Sequence, residues 1–472
     1  EWDPALAQLK QAVSELGGLD PDLALRLEGR LLTLGALDAR VARATGGVSE
    51  ERIESLRARA DVELPGARPL RLNVALLLAV RAHTPEQVRP LILAGLDEGR
   101  FLESESADAV EAVHAAFGLV LIDELGQALE LTDAMLADAA ARGSVLGFLA
   151  GSSFRTLAHL RGGALAQAEA DAVDALALAR EQELHFTIPF IAAYLSLTLL
   201  ERGRVQEAWE LLAPVALPAA VAGTPAGLTL LEARGRVHRG RGDLAGARAD
   251  LSACGEACRA IGVRNPNVVA WRSELALTLR GEEPAQAREL AAEELDLARE
   301  AGTPRGVGVA LRACAALAPA DEREALLGEA VALLEDSPAR LELARALIDL
   351  GGHQRRAGHR TQARQPLLRG LELAHACGAA PLAELAHEEL LAAGARPRRP
   401  WSTGVDALTP SELRVARLAA VGQSNRSIAQ GLFITTPTVK GHLSRVYRKL
   451  GIDTRGQLAE RLSQPSRSAR GD

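Results

Sequence analysis

One stretch near the end of the chain places cationic and hydroxylated side chains at helical spacing. Lys440, Ser444 and Arg448 recur every four residues, and Gly441 lies beside them. At roughly 100° per residue, these positions share one face, opposite an apolar stripe formed by Val439, Leu443, Val446 and Leu450. Lysine and arginine bind phosphates, and polar side chains on a helix reach base edges in a major groove. The pattern predicts a helix that binds nucleic acid; the alternative is an ordinary solvated helix face.

Start and stop signals predict the helices that must position this face. The starts are Thr409 of a Thr-Pro-Ser-Glu capping box, Ser424 and Thr436, and the stops are Gly422 and Gly451. The third helix is expected to have Thr436 as its cap, Pro437 at its first position and Leu450 at its end. A three-residue turn at 433–435 separates the second helix from the third. Helix, short turn and helix form a helix-turn-helix, here within a four-helix unit.

These residues resemble the LuxR-type (LuxR/FixJ) DNA-binding domain over about 55 residues. The motifs that carry the resemblance are Leu408-Thr409-Pro410-x-Glu412, Gly422-x-Ser424-Asn425-Arg426-x-Ile428-Ala429, Thr438-Val439-Lys440-x-His442-Leu443 and Lys449-Leu450-Gly451. They occur in the order and at the spacing that the family uses. The resemblance implies a domain that binds operator DNA through its third helix.

The resemblance also implies roles for individual residues. Lys440, Gly441 and Ser444 occupy positions that read base edges, and Arg448 shares their face. Contacts to the sugar-phosphate backbone are expected from Ser424, Asn425, Arg426, Thr436, Thr438, His442, Arg445 and Lys449. The family often forms dimers through its last helix, here 456–462, where the apolar residues are Leu458, Ala459 and Leu462. Gly441 and Ser444 are smaller than the residues usual at their positions, so either the backbone approaches the DNA closely there or base reading is weaker than usual.

The distribution of charge supports a nucleic-acid partner. Residues 401–472 contain 11 Lys and Arg against 5 Asp and Glu, whereas residues 1–400 contain 43 against 56. Two of the three lysines of the chain, Lys440 and Lys449, lie in the third helix of the unit. A basic module attached to an acidic body is the charge pattern expected when only the module contacts phosphate.

The preceding residues predict a helical repeat. A glycine is followed five residues later by alanine at Gly163/Ala168, Gly203/Ala208, Gly242/Ala247 and Gly358/Ala363. The first two intervals are 40 and 39 residues, Gly281 follows at 39, and a Gly126-Gln127-Ala128 turn precedes the series. Such a period is typical of tetratricopeptide-like helical hairpins that stack into a superhelix. Residues 1–120 are expected to form helical hairpins, with helices at 4–16, 21–44, 50–60 and 85–98.

We therefore predict an all-α chain with four parts. These are N-terminal hairpins at 1–120, tetratricopeptide-like repeats at 121–393, a linker at 394–408 and a LuxR-type helix-turn-helix domain at 409–465. Large LuxR-type regulators commonly carry such a repeat body, which implies a surface that senses a ligand or a protein partner. The expected partners are double-stranded DNA, a second copy of the chain on that DNA, and an unknown effector.

Two alternatives to a ligand-sensing regulator stay open. Larger family members have an ATP-binding domain upstream, and this chain, which begins at Glu1, has no G-x-x-x-x-G-K-[ST] motif. It would then be the C-terminal part of an ATP-switched regulator, with ATP as a cofactor of the longer protein only. Alternatively, the repeats are a scaffold for partner proteins, and DNA binding is secondary.

Other chemistry is weakly supported by the residues. Cys254 and Cys258 lie one helical turn apart without a nearby histidine, which favours buried small residues over a metal site. No catalytic constellation, cofactor site or membrane partner is predicted, and a cytoplasmic protein is expected. Five aromatic residues concentrate in the middle repeats and either line a ligand pocket or fill the core: Phe186, Phe190, Tyr194, Trp209 and Trp271.

Overall fold

The structure is a computed structural model that describes residues 3–16, 18–37, 50–217, 224–395 and 408–463. All regular elements in these ranges are helical, which confirms the predicted all-α fold. Most of the predicted linker at 394–408 lies outside the described residues, as do 38–44 of the second predicted helix and 464–465 of the last predicted domain. No helix in the described ranges is long and apolar enough to cross a membrane.

Short helices pack as hairpins in the N-terminal part. They are α1 (Asp3–Leu16), α2 (Pro21–Leu37), α3 (Glu50–Ala60), α4 (Ala67–Val80), α5 (Pro85–Leu96), α6 (Arg100–Glu105) and α7 (Val110–Leu121). The sequence pattern missed α4, which is buried on several sides. Leu70, Leu72 and Leu78 of α4 are all inaccessible. A helix surrounded by protein lacks the polar face that gives a surface helix its period.

The repeats follow as antiparallel helix pairs. They are α8 (Leu125–Arg142), α9 (Val145–Gly162), α10 (Leu165–Glu181), α11 (Ile188–Glu201), α12 (Val205–Leu212), α13 (Pro225–Gly240), α14 (Leu244–Ile261), α15 (Trp271–Leu279), α16 (Pro284–Ala301), α17 (Pro304–Leu317), α18 (Ala320–Leu334), α19 (Arg340–Arg356), α20 (Arg360–Cys377) and α21 (Ala380–Ala392). Each helix packs against the next along the chain. This arrangement is the stacked helical-hairpin repeat that the glycine-alanine period predicts.

The recurring glycine and alanine have distinct structural roles. The glycines of the four pairs have φ between 79° and 93°, a left-handed conformation that avoids a steric cost only without a Cβ. The alanines that follow, Ala168, Ala208, Ala247 and Ala363, are all fully buried. The expectation of a turn at Gly126 was wrong, because Gly126 lies inside α8. Asp123, with φ of 62°, takes the left-handed position five residues before the buried Ala128.

The repeats do not form an open spiral, because distant helices contact each other. Helix α9 packs against α19, and a small cluster joins Leu165 to Leu341, Cys377 and Ala379. The irregular segment 263–270 runs inside and ties other elements together. Asn265 Nδ2 donates to the carbonyl of Ala79 (2.7 Å), and Asn267 Nδ2 donates to that of Leu121 (2.9 Å). The N-terminal hairpins and the repeats therefore pack as one closed body.

The cysteines and aromatic residues of the repeats mostly fill the core. Cys254 and Cys258 are buried and free. Among the described residues, no group of three or more His, Cys, Asp and Glu is placed to hold a metal ion. Trp271 is buried against Gly255 and two arginines, whereas Phe186 is exposed. Tyr194 is buried and lines a cavity.

Candidate nucleic-acid interface

Four helices with their own core form the C-terminal domain: α22 (Pro410–Ala420), α23 (Asn425–Gly431), α24 (Thr436–Leu450) and α25 (Leu458–Ser463). The first start signal acts as expected. Thr409 N donates to Glu412 Oε2 (2.8 Å), and Glu412 N donates to Thr409 Oγ1 (3.4 Å), which completes the capping box. Ser424 Oγ accepts from Ser427 N (3.1 Å) at the start of α23. The predicted four-helix unit is present.

The start of α24 differs by one residue from the expectation. Thr435, not Thr436, is the N-cap, because its Oγ1 accepts from Thr438 N (3.3 Å). Pro437 is consequently the second helical residue. Two consecutive threonines before a proline are both competent caps, and Thr435 gains a further hydrogen bond to the Thr438 hydroxyl (2.8 Å). Thr436 and Thr438 therefore lie in the first turn of α24, beside its free N–H groups.

The two faces of α24 are separated as the periodicity predicts. Its stripe, Val439, Leu443, Val446 and Leu450, is buried in the core of the domain. The four proposed base-reading positions, Lys440, Gly441, Ser444 and Arg448, are all exposed. A Cβ built on Gly441 would meet no atom within 4 Å. Packing within the chain does not require glycine there, and the absent side chain leaves the helix backbone open to close approach.

The proposed backbone-contacting residues fall into two groups. Ser424, Arg426, Thr438 and Arg445 are exposed, whereas Asn425, Thr436, His442 and Lys449 are half-buried. His442 Nδ1 lies 3.2 Å from Arg445 Nη2. Burial, and then the Arg445 charge, lower the pKa of His442. At neutral pH this histidine is therefore a neutral hydrogen-bonding group and not a cation.

Lys449 is not a freely available cation. Its Nζ donates to Glu412 Oε2 at 2.7 Å, and Arg445 Nε lies 3.4 Å from Glu412 Oε1. Burial acts to raise the pKa of Glu412, but hydrogen bonds from Lys449 and Thr409 outweigh it, so the pKa lies below its usual value. One carboxylate thus caps α22 and holds the C-terminal end of α24. The expected phosphate contact of Lys449 would have to share this lysine with Glu412.

Arg455, which the sequence pattern did not single out, joins three segments of the domain. Its Nη1 donates to Asn425 Oδ1 (2.7 Å), its Nε to the carbonyl of Ala419 (3.3 Å) and its Nη2 to the carbonyl of Gln423. These bonds fix the turn between α22 and α23 and orient the Asn425 amide. The signal available in sequence was the second capping box at 454–457, which places Arg455 at the start of a helical turn.

The expected dimer contact is only partly available on the surface. Leu458 is fully buried in the domain core, so it supports α25 and cannot also meet a second copy. Leu462 packs partly on the same core, and Ala459 is exposed. From sequence alone, an apolar residue on a short helix is equally consistent with a dimer contact and with the core. In this small domain Leu458 belongs to the core.

The C-terminal domain docks on the repeats through α22 and the turn that precedes α24. Arg414 of α22 contacts Asp171 of α10 at 2.5 Å and Asp174 at 3.7 Å. The rings of Phe433 and Phe148 lie 4.4 Å apart between centroids. Asp171 also pairs with Arg155 (2.8 Å), so the docked domain extends an ion-pair network of the repeats. The base-reading positions stay uncovered in this arrangement.

Comparisons with known proteins agree with this geometry. Residues 406–462 match the family model of bacterial regulatory proteins, luxR family. The chain is 44% identical over 69 residues to the putative HTH-type transcriptional regulator Rv0890c of Mycobacterium tuberculosis, covering 15% of this chain and 7% of that protein. It is 41% identical over 54 residues to the transcriptional regulatory protein LiaR of Bacillus subtilis, covering 11% and 26% respectively. A nitrate/nitrite response regulator protein homolog of Haemophilus influenzae is 45% identical over 51 residues, which are 11% of this chain and 24% of that protein.

Proposed function

Residues 406–462 are a helix-turn-helix domain of the LuxR family, and from this premise we propose that the chain regulates transcription by inserting α24 into the major groove of operator DNA. The observation that carries the proposal is the exposed face of Lys440, Gly441, Ser444 and Arg448, held from behind by a buried apolar stripe. Lysine and arginine on such a face pair with guanine or with phosphate. Gly441 allows the helix backbone to approach the bases closely.

The repeat body is proposed to sense a ligand or partner. Its helices α13, α15, α17 and α19 line a cavity of about 580 Å³, which is within the size range of small-molecule sites. Direct docking of the DNA-binding domain on α10 offers a physical connection between the sensing body and the operator. This cavity favours a sensor over the alternative of a repeat scaffold whose DNA binding is secondary. An upstream ATP-binding domain in a longer protein is compatible with the same role.

A dimer on DNA is the proposed binding form, with Ala459 and the exposed part of Leu462 at the contact. Two copies that pair near α25 would place two α24 helices on successive major grooves. Half-sites would then be spaced by about one turn of DNA, roughly 34–36 Å.

The decisive test is selection of bound duplexes from a random DNA pool by the full chain, followed by anisotropy titrations at several salt concentrations. We expect Lys440→Ala to weaken binding to the selected site by about 1–3 kcal/mol if Lys440 reads a base. An equal loss on all sequences, with a smaller salt slope, would make Lys440 a phosphate contact. Arg288→Ala is the matched control, because it removes one exposed positive charge from the repeats. The proposal fails if no duplex shows salt-sensitive affinity.

A further inference from the structure

The repeats contain a partly open cavity with a small part and a large part, named the inner part and the outer part. The inner part is lined by α9, α11, α13, α17, α19 and the segment 263–270, and its volume of about 50 Å³ holds roughly three or four water molecules. The outer part has a volume of about 580 Å³. Glu232, Arg236, Arg305 and Glu342 line both parts, so the two adjoin. A ligand with a small head and a larger body fits this shape.

Most charged groups in the cavity neutralise each other. Arg236 pairs with Glu201 (2.7 Å) and Glu274 (3.3 Å). Arg312 pairs with Glu342 (3.1 Å) and Asp349 (2.8 Å), and Arg345 also pairs with Glu201 and Glu342. These groups hold the helices of the repeats together and leave little net charge for a ligand.

Arg161, on one wall of the inner part, is not neutralised in the same way as these paired groups. It is 8% exposed, and its Nη2 donates to the main-chain oxygen of Asn267. Its Nη1 is buried and has no hydrogen-bond partner among the described residues. Burial, and then the Arg305 charge, lower the pKa of Arg161 to about 9, so it remains cationic at neutral pH. A buried cationic N–H without an acceptor is costly to leave unpaired.

Glu232, the acidic counterpart of Arg161 in the inner part, also lacks an ion pair within the described residues. It is 8% exposed, and its Oε1 accepts a hydrogen bond from Ala270 N (3.2 Å). No ion pair to Glu232 is found in the part of the chain that the structure describes, because the nearby Arg236 is held by Glu201 and Glu274. Burial raises the pKa of Glu232, partly offset by Arg236. Arg305, which lines both parts, also has a buried Nε without a hydrogen-bond partner among the described residues, although its Nη1 donates to Asn267 Oδ1 (3.0 Å). The inner part therefore presents two incompletely satisfied guanidinium groups and one carboxyl group that lacks an ion pair.

We propose that this cavity binds a free α-amino acid, with its carboxylate on Arg161 Nη1, its ammonium group on Glu232 and its side chain in the outer part. A simple anion would satisfy Arg161 but approach Glu232 with like charge, and a simple cation would do the reverse. A zwitterionic head satisfies both groups and adds no net charge to the buried site. Leu157, Leu197 and Val268 supply the apolar part of the wall. The inference names the ligand class for the proposed sensing role of the repeats.

The test uses the full chain and the common L-amino acids, added singly at millimolar concentration. Binding is measured by isothermal titration calorimetry and by the rise in unfolding temperature. Each amino acid that binds is compared with the amine that lacks its carboxylate and with the 2-hydroxy acid that lacks its ammonium group. We expect both analogues to bind at least roughly tenfold more weakly, because each leaves one buried charged group unpaired. If no amino acid binds, or if an analogue binds equally well, the proposal is overturned.

Two variants locate the binding site. Arg161→Met should abolish amino-acid binding, and Glu232→Gln, which keeps an acceptor for Ala270 N, should remove the preference for the amino acid over the 2-hydroxy acid. Circular dichroism checks that both variants fold. Arg299→Met and Glu329→Gln are the controls, because they alter an exposed ion pair (3.0 Å) of the same repeats. Amino-acid binding that survives in both cavity variants would place the ligand elsewhere. Since the assay contains no DNA, its failure is separable from failure of the proposed operator binding.

Discussion

At the scale of single residues, buried polar groups decide how the N-terminal part responds to pH. His114 of α7 is buried, and its Nδ1 lies 2.9 Å from Asn73 Oδ1. Asn73 Nδ2 in turn donates to Thr33 Oγ1, whose hydroxyl also reaches Glu111 (2.7 Å). Burial lowers the pKa of His114 to about 4 from an ordinary 6.5. Burial in this network therefore favours the neutral imidazole over the charged form.

This histidine predicts an acid-sensitive fold. Because the folded pKa lies below the unfolded pKa, the unfolded chain takes up the proton first as pH falls from about 6.5 to about 4. Stability should fall by about 3 kcal/mol over that window because of this residue alone. In urea unfolding, the free energy of unfolding should fall more steeply between pH 6.5 and pH 4 in the wild type than in His114→Gln. The exposed His359→Gln should behave as the wild type, and an equal slope in all three proteins would contradict the assignment.

At the scale of elements, Glu412 connects the first and third helices of the DNA-binding domain. Its carboxylate accepts from Thr409 N at the start of α22 and from Lys449 Nζ near the end of α24. Glu412, which lies outside the proposed DNA contacts, therefore helps to hold α24 in place relative to α22.

We expect Glu412→Ala to loosen the domain by about 1 kcal/mol, the usual contribution of a helix cap. Amide hydrogen exchange within 408–463 of the full chain should accelerate by up to roughly fivefold where it proceeds through opening of this domain. Glu460→Ala, which removes an exposed carboxylate from α25, is the control. Unchanged exchange at the start of α22 would show that the capping box contributes nothing to stability.

The sequence predicted local features well and distant pairings poorly. The Thr409–Glu412 capping box, the apolar stripe of α24 and the glycine-alanine period all arise from residues within a few positions of each other, so their spacing is visible in the chain. Lys449 and Glu412 are 37 residues apart, and Arg414 and Asp171 are 243 apart. Such pairs depend on how the helices pack in three dimensions, which the hydrophobic periodicity of the sequence does not reveal. The burial of Leu458 was missed for the same reason, since a short apolar helix reads equally as surface or as core.

At the scale of the whole molecule, the docked DNA-binding domain shares an ion-pair network with the repeats. Asp171 is almost inaccessible and receives both Arg155 and Arg414, with His159 Nε2 at 3.8 Å. Burial raises the pKa of the adjacent Asp174 to about 6, so Arg414 meets one firmly ionised carboxylate and one that titrates near neutrality. The ring contact between Phe433 and Phe148 adds an apolar part to this interface.

Reversing the charge of Arg414 should detach the DNA-binding domain from the repeats. Arg414→Glu removes a charge-assisted hydrogen bond of about 1.5–3 kcal/mol and brings a third carboxylate against Asp171 and Asp174. Asp171 keeps Arg155, so the repeats should remain folded. The radius of gyration from small-angle X-ray scattering should increase relative to the wild type. Arg417→Glu makes the same charge change on an exposed position of α22 and should leave the radius unchanged. Equal radii in all three proteins would show that this ion pair does not hold the domain.

The irregular segment 263–270 makes the expected unfolding of these repeats different from that of an open array. In an open array each repeat touches only its neighbours, so end repeats fray first and unfolding spreads inward. Here Asn265 and Asn267 fasten the middle of the array to the ends of α4 and α7, and α9 meets α19 across the turn of the superhelix. These long-range contacts close the array, so that unfolding of one repeat is coupled to its distant neighbours as well as to its adjacent ones. Its hairpins should lose structure together, in a single calorimetric peak rather than a succession of them.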